Sequence, residues 1–136
     1  MQREIINNIN IIYGKIEELC TSVKRDKNEI TLIAVSKKKS HELIEIALNN
    51  GIENFGENYA QELKEKSFLI NSEKIIWHFI GPIQSNKVKI IANHADWIHS
   101  LEREKIIKKL DTECKKINKT INACLQVNIS NEESKS

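Results

Sequence analysis

Apolar and polar residues follow two alternating patterns along the chain, one typical of helices and one typical of strands. Residues 5–23 carry an apolar residue at every third or fourth position, which predicts an N-terminal helix of about five turns. Short apolar runs of strand length then begin near residues 32, 53, 75, 96 and 122, and each gap between them has helical spacing. Such a regular alternation of strand and helix predicts a parallel α/β sheet.

The first strand ends abruptly in lysines. Its apolar run, residues 32–35, is followed by Ser36 and then by Lys37, Lys38 and Lys39. If the strand continues through these residues, Lys37 and Lys39 share one face of it, because side chains alternate faces. Parallel sheets carry their chemistry at the carboxyl ends of the strands, so Lys37 is a candidate functional amine. A solvated loop is the simpler interpretation of three lysines, and the spacing leaves both interpretations open.

Two architectures share this strand–helix unit, the doubly wound sheet and the (β/α)₈ barrel. The first strand is followed by no glycine fingerprint of dinucleotide folds, and no GxxxxGK[ST] loop occurs in the sequence. Polar residues instead follow or end every strand, which favours a barrel whose strand ends share one mouth: Lys37, Asn58, His78, Ser100 and Asn128. We therefore predict a partial (β/α)₈ TIM-type barrel, a single domain over residues 1–136 with about five of the eight parallel strands.

Composition and charge narrow the class of protein. The 136 residues are 40% hydrophobic and 29% charged, which is ordinary for one soluble domain. A net charge of +2 with scattered lysines predicts no nucleic-acid partner. The apolar runs are too short to span a membrane, and the N-terminus does not read as a signal peptide. Three cysteines without paired spacing indicate a reducing compartment, and so a cytoplasmic location.

Five strings in the sequence resemble one known family. They are AVSK at 34–37, FGENY at 55–59, WHFIGPIQSNK at 77–87, QVNIS at 126–130 and EESK at 132–135. In this order they resemble the pyridoxal-phosphate homeostasis protein family, whose members are single-domain barrels similar to the N-terminal domain of alanine racemase. The resemblance covers about residues 30–136.

The resemblance implies a cofactor and the residues around it. The lysine of the AVSK string in that family holds pyridoxal 5'-phosphate as an internal aldimine, which points to Lys37, and the asparagine of the GENY string points to Asn58. Lys39 and Lys135 match two further lysines of the family. We add His78 as a residue of the mouth, although a general base or a metal ligand is the alternative role for it. We predict no metal site and no catalytic residue.

The chain departs from the family in length and at two positions. Ser40 stands where proline is common, which is a mild change because serine is a good helix N-cap, and Lys38 replaces a small polar residue. Family members continue for roughly another 90 to 100 residues, which supply three more strands and the phosphate-binding loops. We therefore expect a barrel that is incomplete at its C-terminus, with open sheet edges available for self-association.

The resemblance implies a protein that holds pyridoxal 5'-phosphate reversibly and takes part in its intracellular homeostasis, without turnover. A pyridoxal-phosphate enzyme of the racemase or decarboxylase type on the same fold is one alternative. It requires a second acid or base, and no residue is an evident candidate. A truncated product without a binding function is the other alternative.

Overall fold

The computed structural model describes residues 1–134 and consists of helices that alternate with short strands. A long helix, α1 (Gln2–Ser22), and a 3₁₀ turn at Lys27–Glu29 precede the sheet. The strands are β1 (Ile33–Val35), β2 (Asn54–Glu57), β3 (Ile76–Phe79), β4 (Trp97–Leu101) and β5 (Asn122–Leu125). The connecting helices are α2 (His41–Asn49), α3 (Ala60–Leu69), α4 (Val88–His94) and α5 (Glu104–Lys116), with a 3₁₀ turn at Ser85–Lys87 before α4.

The order of the strands distinguishes the two predicted architectures. All neighbouring strands are parallel, and the sheet order is β1-β2-β3-β4-β5, the same as the order in the chain. A doubly wound sheet reverses its strand order at a switch point, and this sheet does not reverse. The prediction of a partial TIM-type barrel is therefore confirmed. Within residues 1–134, β1 and β5 each have a strand neighbour on one side only.

The register separates the two faces of the sheet. Val35 lies opposite Gly56, Gly56 opposite His78, and His78 opposite Trp97, so these residues share the face that would form the barrel interior. The residues between them point toward the helices. The main core lies on that second face, and its most deeply buried apolar side chains are Ile44, Phe55, Leu63, Phe79, Val88, Ile91 and Ile98.

The helices bury the apolar stripes that the sequence predicts, but α1 does so only in part. In α5 the buried residues are Ile106, Leu110 and Cys114, spaced four apart on one face. In α1 only Ile9 and Cys20 are buried, while Leu19 is exposed. The reason is that α1 packs mainly on α2 and on the first 3₁₀ turn, which together cover only part of its apolar stripe.

Three details that the sequence predicts are wrong. The apolar residues at 123–129 predict a fifth strand over that range, but β5 ends at Leu125, and the following segment is exposed. Helical spacing predicts a helix from about residue 86 with Ser85 or Asn86 as its N-cap, but α4 begins at Val88, because a 3₁₀ turn precedes it, and neither side chain caps it. Ser40 does occupy the N-cap of α2, but its hydroxyl makes no capping hydrogen bond. None of the helices within residues 1–134 has both the length and the apolar character needed to cross a bilayer.

Candidate functional site

The predicted Lys37 site lies in a tight turn at the carboxyl end of β1. The Ser36 N–H donates to the Gly56 carbonyl at 2.9 Å, and the Lys39 N–H donates back to the Ser36 carbonyl at 3.0 Å. Lys38 has a φ of 58°, in the left-handed region that non-glycine residues rarely adopt. The expectation that Lys37 and Lys39 share a strand face is therefore wrong, because the strand ends at Val35 and residues 36–39 turn.

The three lysines of this turn are exposed, as a solvated loop would be. Unlike the backbone of an ordinary solvated loop, the backbone of this turn is hydrogen-bonded to side chains of a neighbouring helix. The Lys38 N–H donates to the Glu62 carboxylate at 2.9 and 3.3 Å, and the Ser36 carbonyl accepts a hydrogen bond from Nζ of Lys66 at 2.7 Å. Two charged side chains of α3 thus hold the backbone that carries Lys37.

A buried ion pair stands behind the turn. Nζ of Lys66 lies 2.6 Å from Oε1 of Glu57 and 3.1 Å from Oε2 of Glu62, and the Ser36 hydroxyl donates to the same Glu57 oxygen at 2.7 Å. Burial raises the pKa of Glu57, and the hydrogen bonds from Lys66 and Ser36 oppose that rise. Burial also acts to raise the pKa of Glu62, but hydrogen bonds, led by the one from the Lys38 N–H, outweigh it and lower the pKa.

The sequence also allows Glu57, in the FGENY string, to pair with a lysine or to accept backbone hydrogen bonds, but it did not lead us to Lys66 or Glu62. One signal was available in the helical pattern. Lys66 falls on the same stripe as Ala60, Leu63 and Ile70, at steps of three, three and four residues. A lysine on the buried stripe of a helix requires a partner, and Glu62, four residues earlier, is also within reach.

Asn58 directly follows β2 and lies close to the loop after β3. A Cβ atom added at Gly81 would lie 2.2 Å from the backbone oxygen of Asn58, so the two segments pack without room for a side chain. The Ser100 hydroxyl donates to the Gly81 carbonyl, which links the β4 strand to the same loop. The side-chain oxygen of Asn58 is buried and has no hydrogen-bond partner within residues 1–134. The ends of β2, β3 and β4 therefore meet, as a barrel mouth requires.

His78 is the penultimate residue of β3, on the interior face and close to the end of the strand. Its Nε2 is 2.8 Å from the Asn54 side-chain oxygen, and its Nδ1 is 2.8 Å from Nε2 of His99. An amide oxygen only accepts, so Nε2 of His78 carries the hydrogen and Nδ1 accepts from His99. The ring also stacks on Trp97 at 5.9 Å. Burial, followed by the neighbouring His99, lowers the pKa of His78 to about 4, so the ring is neutral at pH 7.

The predicted residues divide into three groups. Three of them, Lys37, Lys39 and Asn58, follow the neighbouring parallel strands β1 and β2, and so lie at the carboxyl ends of these strands. His78 lies deeper, with both ring nitrogens already bonded to protein. Lys135 lies outside the described residues. Within residues 1–134 no three His, Cys, Asp or Glu side chains are grouped closely enough to hold a metal ion.

Comparisons with known proteins find relatives that share one name. The pyridoxal phosphate homeostasis protein of Haemophilus influenzae is 44% identical over 134 residues, which is 97% of this chain and 56% of that protein. The Escherichia coli K12 protein of the same name is 39% identical over 136 residues, which is 98% of this chain and 58% of that protein. No protein-family model matches the chain.

Solved structures agree with the fold. PipY of Synechococcus elongatus PCC7942, solved with pyridoxal phosphate bound, matches with a TM-score of 0.74 and 32% identity, over 86% of this chain and 56% of that chain. A protein from Bifidobacterium adolescentis matches with a TM-score of 0.88 and 27% identity, over 99% of this chain and 59% of that chain.

The chain thus spans a little over half the length of the relatives that it matches. The sequence similarity to the curated relatives extends over nearly all of its own residues, at about 40% identity. Over the length that it covers, the chain is similar in sequence and in fold to the pyridoxal phosphate homeostasis proteins.

Proposed function

We propose that the chain binds pyridoxal 5'-phosphate at the end of β1, through Lys37, and serves pyridoxal-phosphate homeostasis in the cytoplasm. The observation that carries the proposal is the Lys37 turn, an exposed amine on a backbone held by Glu62 and Lys66, next to the strand that Asn58 follows. The names of the curated relatives and the ligand bound to PipY support the same ligand.

The residues present fit this ligand in three respects. The ligand supplies an aldehyde that condenses with a primary amine, and Lys37 offers such an amine in an exposed position. Asn58 has a buried side-chain oxygen without a partner within residues 1–134, and this oxygen can accept a hydrogen bond from a ligand group that reaches it. Lys39, in the same turn, adds positive charge that favours an anionic ligand. The roles of His78 and Lys135 in binding stay predictions.

Binding without turnover is part of the proposal. A racemase or decarboxylase needs a further acid or base free to exchange a proton with the substrate. The imidazole among the predicted residues, His78, has both nitrogens bonded to Asn54 and His99. We expect the chain loaded with pyridoxal 5'-phosphate to leave L-alanine and L-lysine unchanged in chirality and in amount.

Reduction and peptide mapping test the binding residue. Incubation with pyridoxal 5'-phosphate, reduction with borohydride and digestion are expected to place the label on Lys37. Lys37→Ala is expected to abolish the label and the visible absorbance band. Lys38→Asn is the matched control, because asparagine tolerates the left-handed conformation and leaves Lys37 in place. A label found mainly on Lys38, with the band retained in Lys37→Ala, would contradict the proposal.

We also propose that this chain associates with copies of itself through its open sheet edges. Val35 on β1 and Leu125 on β5 are both exposed, and each strand has a neighbour on one side only within residues 1–134. A cleft of about 380 Å³ opens beside β1, and Ala34, Val35 and Phe55 are among the apolar side chains that line it. Unpaired strand edges next to apolar surface favour association.

A further inference from the structure

The charged side chains behind the Lys37 turn form one connected network. We call Glu57, Glu62 and Lys66 the turn anchor. The Lys66 ammonium has three donors and three acceptors within 3.1 Å: the Ser36 carbonyl and one oxygen of each glutamate. The side chains of Lys66 and Glu57 are 9% and 0% exposed. Each of the three hydrogens of the Lys66 ammonium therefore has a hydrogen-bond acceptor within the protein.

The anchor reaches the backbone on both sides of Lys37. Before it, Ser36 is bonded twice, through its carbonyl to Lys66 and through its hydroxyl to Glu57. After it, the Lys38 N–H is bonded to the Glu62 carboxylate. The direction of the Lys37 Cα–Cβ bond is thus set by neighbours that the anchor holds.

The conformation of Lys38 argues that the anchor does more than join α3 to the sheet. A lysine at a φ of 58° is unfavourable, and such residues persist where their surroundings impose the conformation. Here the imposing contact is the Glu62 carboxylate on the Lys38 N–H. A buried ion pair is also weak evidence for stability, because apolar side chains of similar volume often stabilise a protein as well.

We propose that Glu57, Glu62 and Lys66 are positioning residues that fix the turn so that Lys37, rather than Lys38 or Lys39, reacts with the aldehyde of pyridoxal 5'-phosphate. The inference rests on the proposed function of Lys37. The anchor itself is not expected to contact the ligand. It acts through the Ser36 carbonyl and the Lys38 N–H, so its effect is on the rate and the selectivity of the reaction.

The first measurement needs no ligand. Hydrogen exchange of the cofactor-free chain reports whether the Lys38 and Lys39 amides are protected, since these amides bond to Glu62 and to the Ser36 carbonyl. We expect protection in the parent chain, and its loss at Lys38 in Glu62→Ala. Glu62→Gln keeps an acceptor oxygen and is expected to restore most of the protection.

The second measurement follows the borohydride-trapped label over time at Lys37, Lys38 and Lys39. We expect the initial rate at Lys37 to fall about 10- to 100-fold in Glu62→Ala and in Lys66→Met, with a larger share of label on the other two lysines. Lys108→Met is the matched control, because Lys108 forms an exposed ion pair on α5 far along the chain from the turn. The control should label as the parent chain does.

The outcomes separate the inference from the proposed function. If the parent chain does not label Lys37, the proposed function fails, and hydrogen exchange still decides whether the anchor holds the turn. If the parent chain labels Lys37, but both anchor variants keep its rate and selectivity, the positioning role is overturned. If Lys66→Met does not fold, Glu62→Ala carries the test, because the Glu62 side chain is 28% exposed and its loss leaves the buried pair intact.

Discussion

The ammonium of Lys66 lies 2.6 Å from Oε1 of Glu57, and no part of the Glu57 side chain is exposed to solvent. This contact joins the buried stripe of α3 to the last residue of β2. The second Glu57 oxygen is buried without a hydrogen-bond partner within residues 1–134, so the carboxylate depends on the contacts made by the first. Removal of the Lys66 charge would leave the Glu57 carboxylate buried without a cation, which is costly in a protein interior.

We expect Lys66→Met to lower the free energy of unfolding by about 3–5 kcal/mol, because it leaves Glu57 without its cation. Lys108→Met removes the lysine of an exposed pair and should change that free energy by less than about 1 kcal/mol. Urea unfolding followed by circular dichroism measures both. Equal effects of the two substitutions would show that the buried pair carries no special weight.

Adding Glu57→Gln to Lys66→Met should recover part of the lost stability, since the remaining side chain is then neutral. The two residues are in direct contact, so their effects are expected to be non-additive. A double variant whose loss equals the sum of the two single losses would contradict this coupling.

Gly81→Ala tests the close packing of the barrel mouth. A Cβ at this position would lie 2.2 Å from the Asn58 backbone oxygen, and backbone cannot move aside as a flexible side chain does. We expect a loss of about 1–3 kcal/mol in the free energy of unfolding, typical of overpacking. Gly14→Ala is the control: nothing lies within 4 Å of the added atom, and alanine in a helix should stabilise by up to about 1 kcal/mol. Thermal melts that shift in the same direction for both variants would contradict the expectation.

The sequence predicts the order and type of the elements well because strand and helix periods differ. Every strand start and every connecting helix lies within a few residues of its predicted place. The choice of a barrel also follows from the sequence, since the polar strand ends Lys37 and Asn58 indicate a shared mouth. The strand order confirms it.

The contacts behind the site could not be predicted in the same way. The pairing of His78 with His99 depends on which residues of β3 and β4 lie side by side, and register is not readable from the spacing of apolar runs. The turn at Lys38 depends on the Glu62 carboxylate, which is 24 residues away on α3. The sequence alone does not determine how α3 is rotated about its axis, and therefore does not determine which of its side chains face the turn. Local sequence patterns reveal the periodicity and the approximate ends of each helix and strand. The contacts behind the site are instead determined by packing between these elements.

His78 is expected to make folding stability depend on pH. Its folded pKa, about 4, lies below the value of 6.5 for an unperturbed histidine, so the unfolded chain binds the proton more tightly. The stabilisation from the neutral ring is therefore full above pH 6.5 and falls as the pH drops, by about 3 kcal/mol in total at pH 4. Urea unfolding at several pH values between 4 and 7 should show a smaller loss in His78→Asn than in the parent chain. Parallel pH profiles would rule out this role for His78.

The same substitution separates binding from stability. His78 already bonds to Asn54 and His99 through its two ring nitrogens, so we expect His78→Asn to retain the borohydride label on Lys37 at pH 7 within about twofold of the parent rate. Circular dichroism checks that the fold is kept. A variant that folds and no longer labels would show that His78 contacts the ligand, as the sequence prediction also allows.

The edges of the sheet lead to the last prediction. The side chains of Val35 on β1 and Leu125 on β5 are 54% and 71% exposed, although both belong to strands of a fold in which every strand normally has two neighbours. Full burial of such a side chain stabilises by about 1.5–3 kcal/mol, and edge backbone groups gain hydrogen bonds when another strand pairs with them.

We expect this chain to sediment as a mixture whose mean mass rises with concentration. Val35→Lys and Leu125→Lys should each shift it toward the monomer, because a lysine on an edge strand disfavours pairing. Phe68→Lys, at an exposed apolar residue of α3 away from both edges, should leave the association unchanged. A chain that stays monomeric over a hundredfold range of concentration, or that responds to Phe68→Lys as strongly as to the edge variants, would show that the open strands are not the surfaces through which it associates.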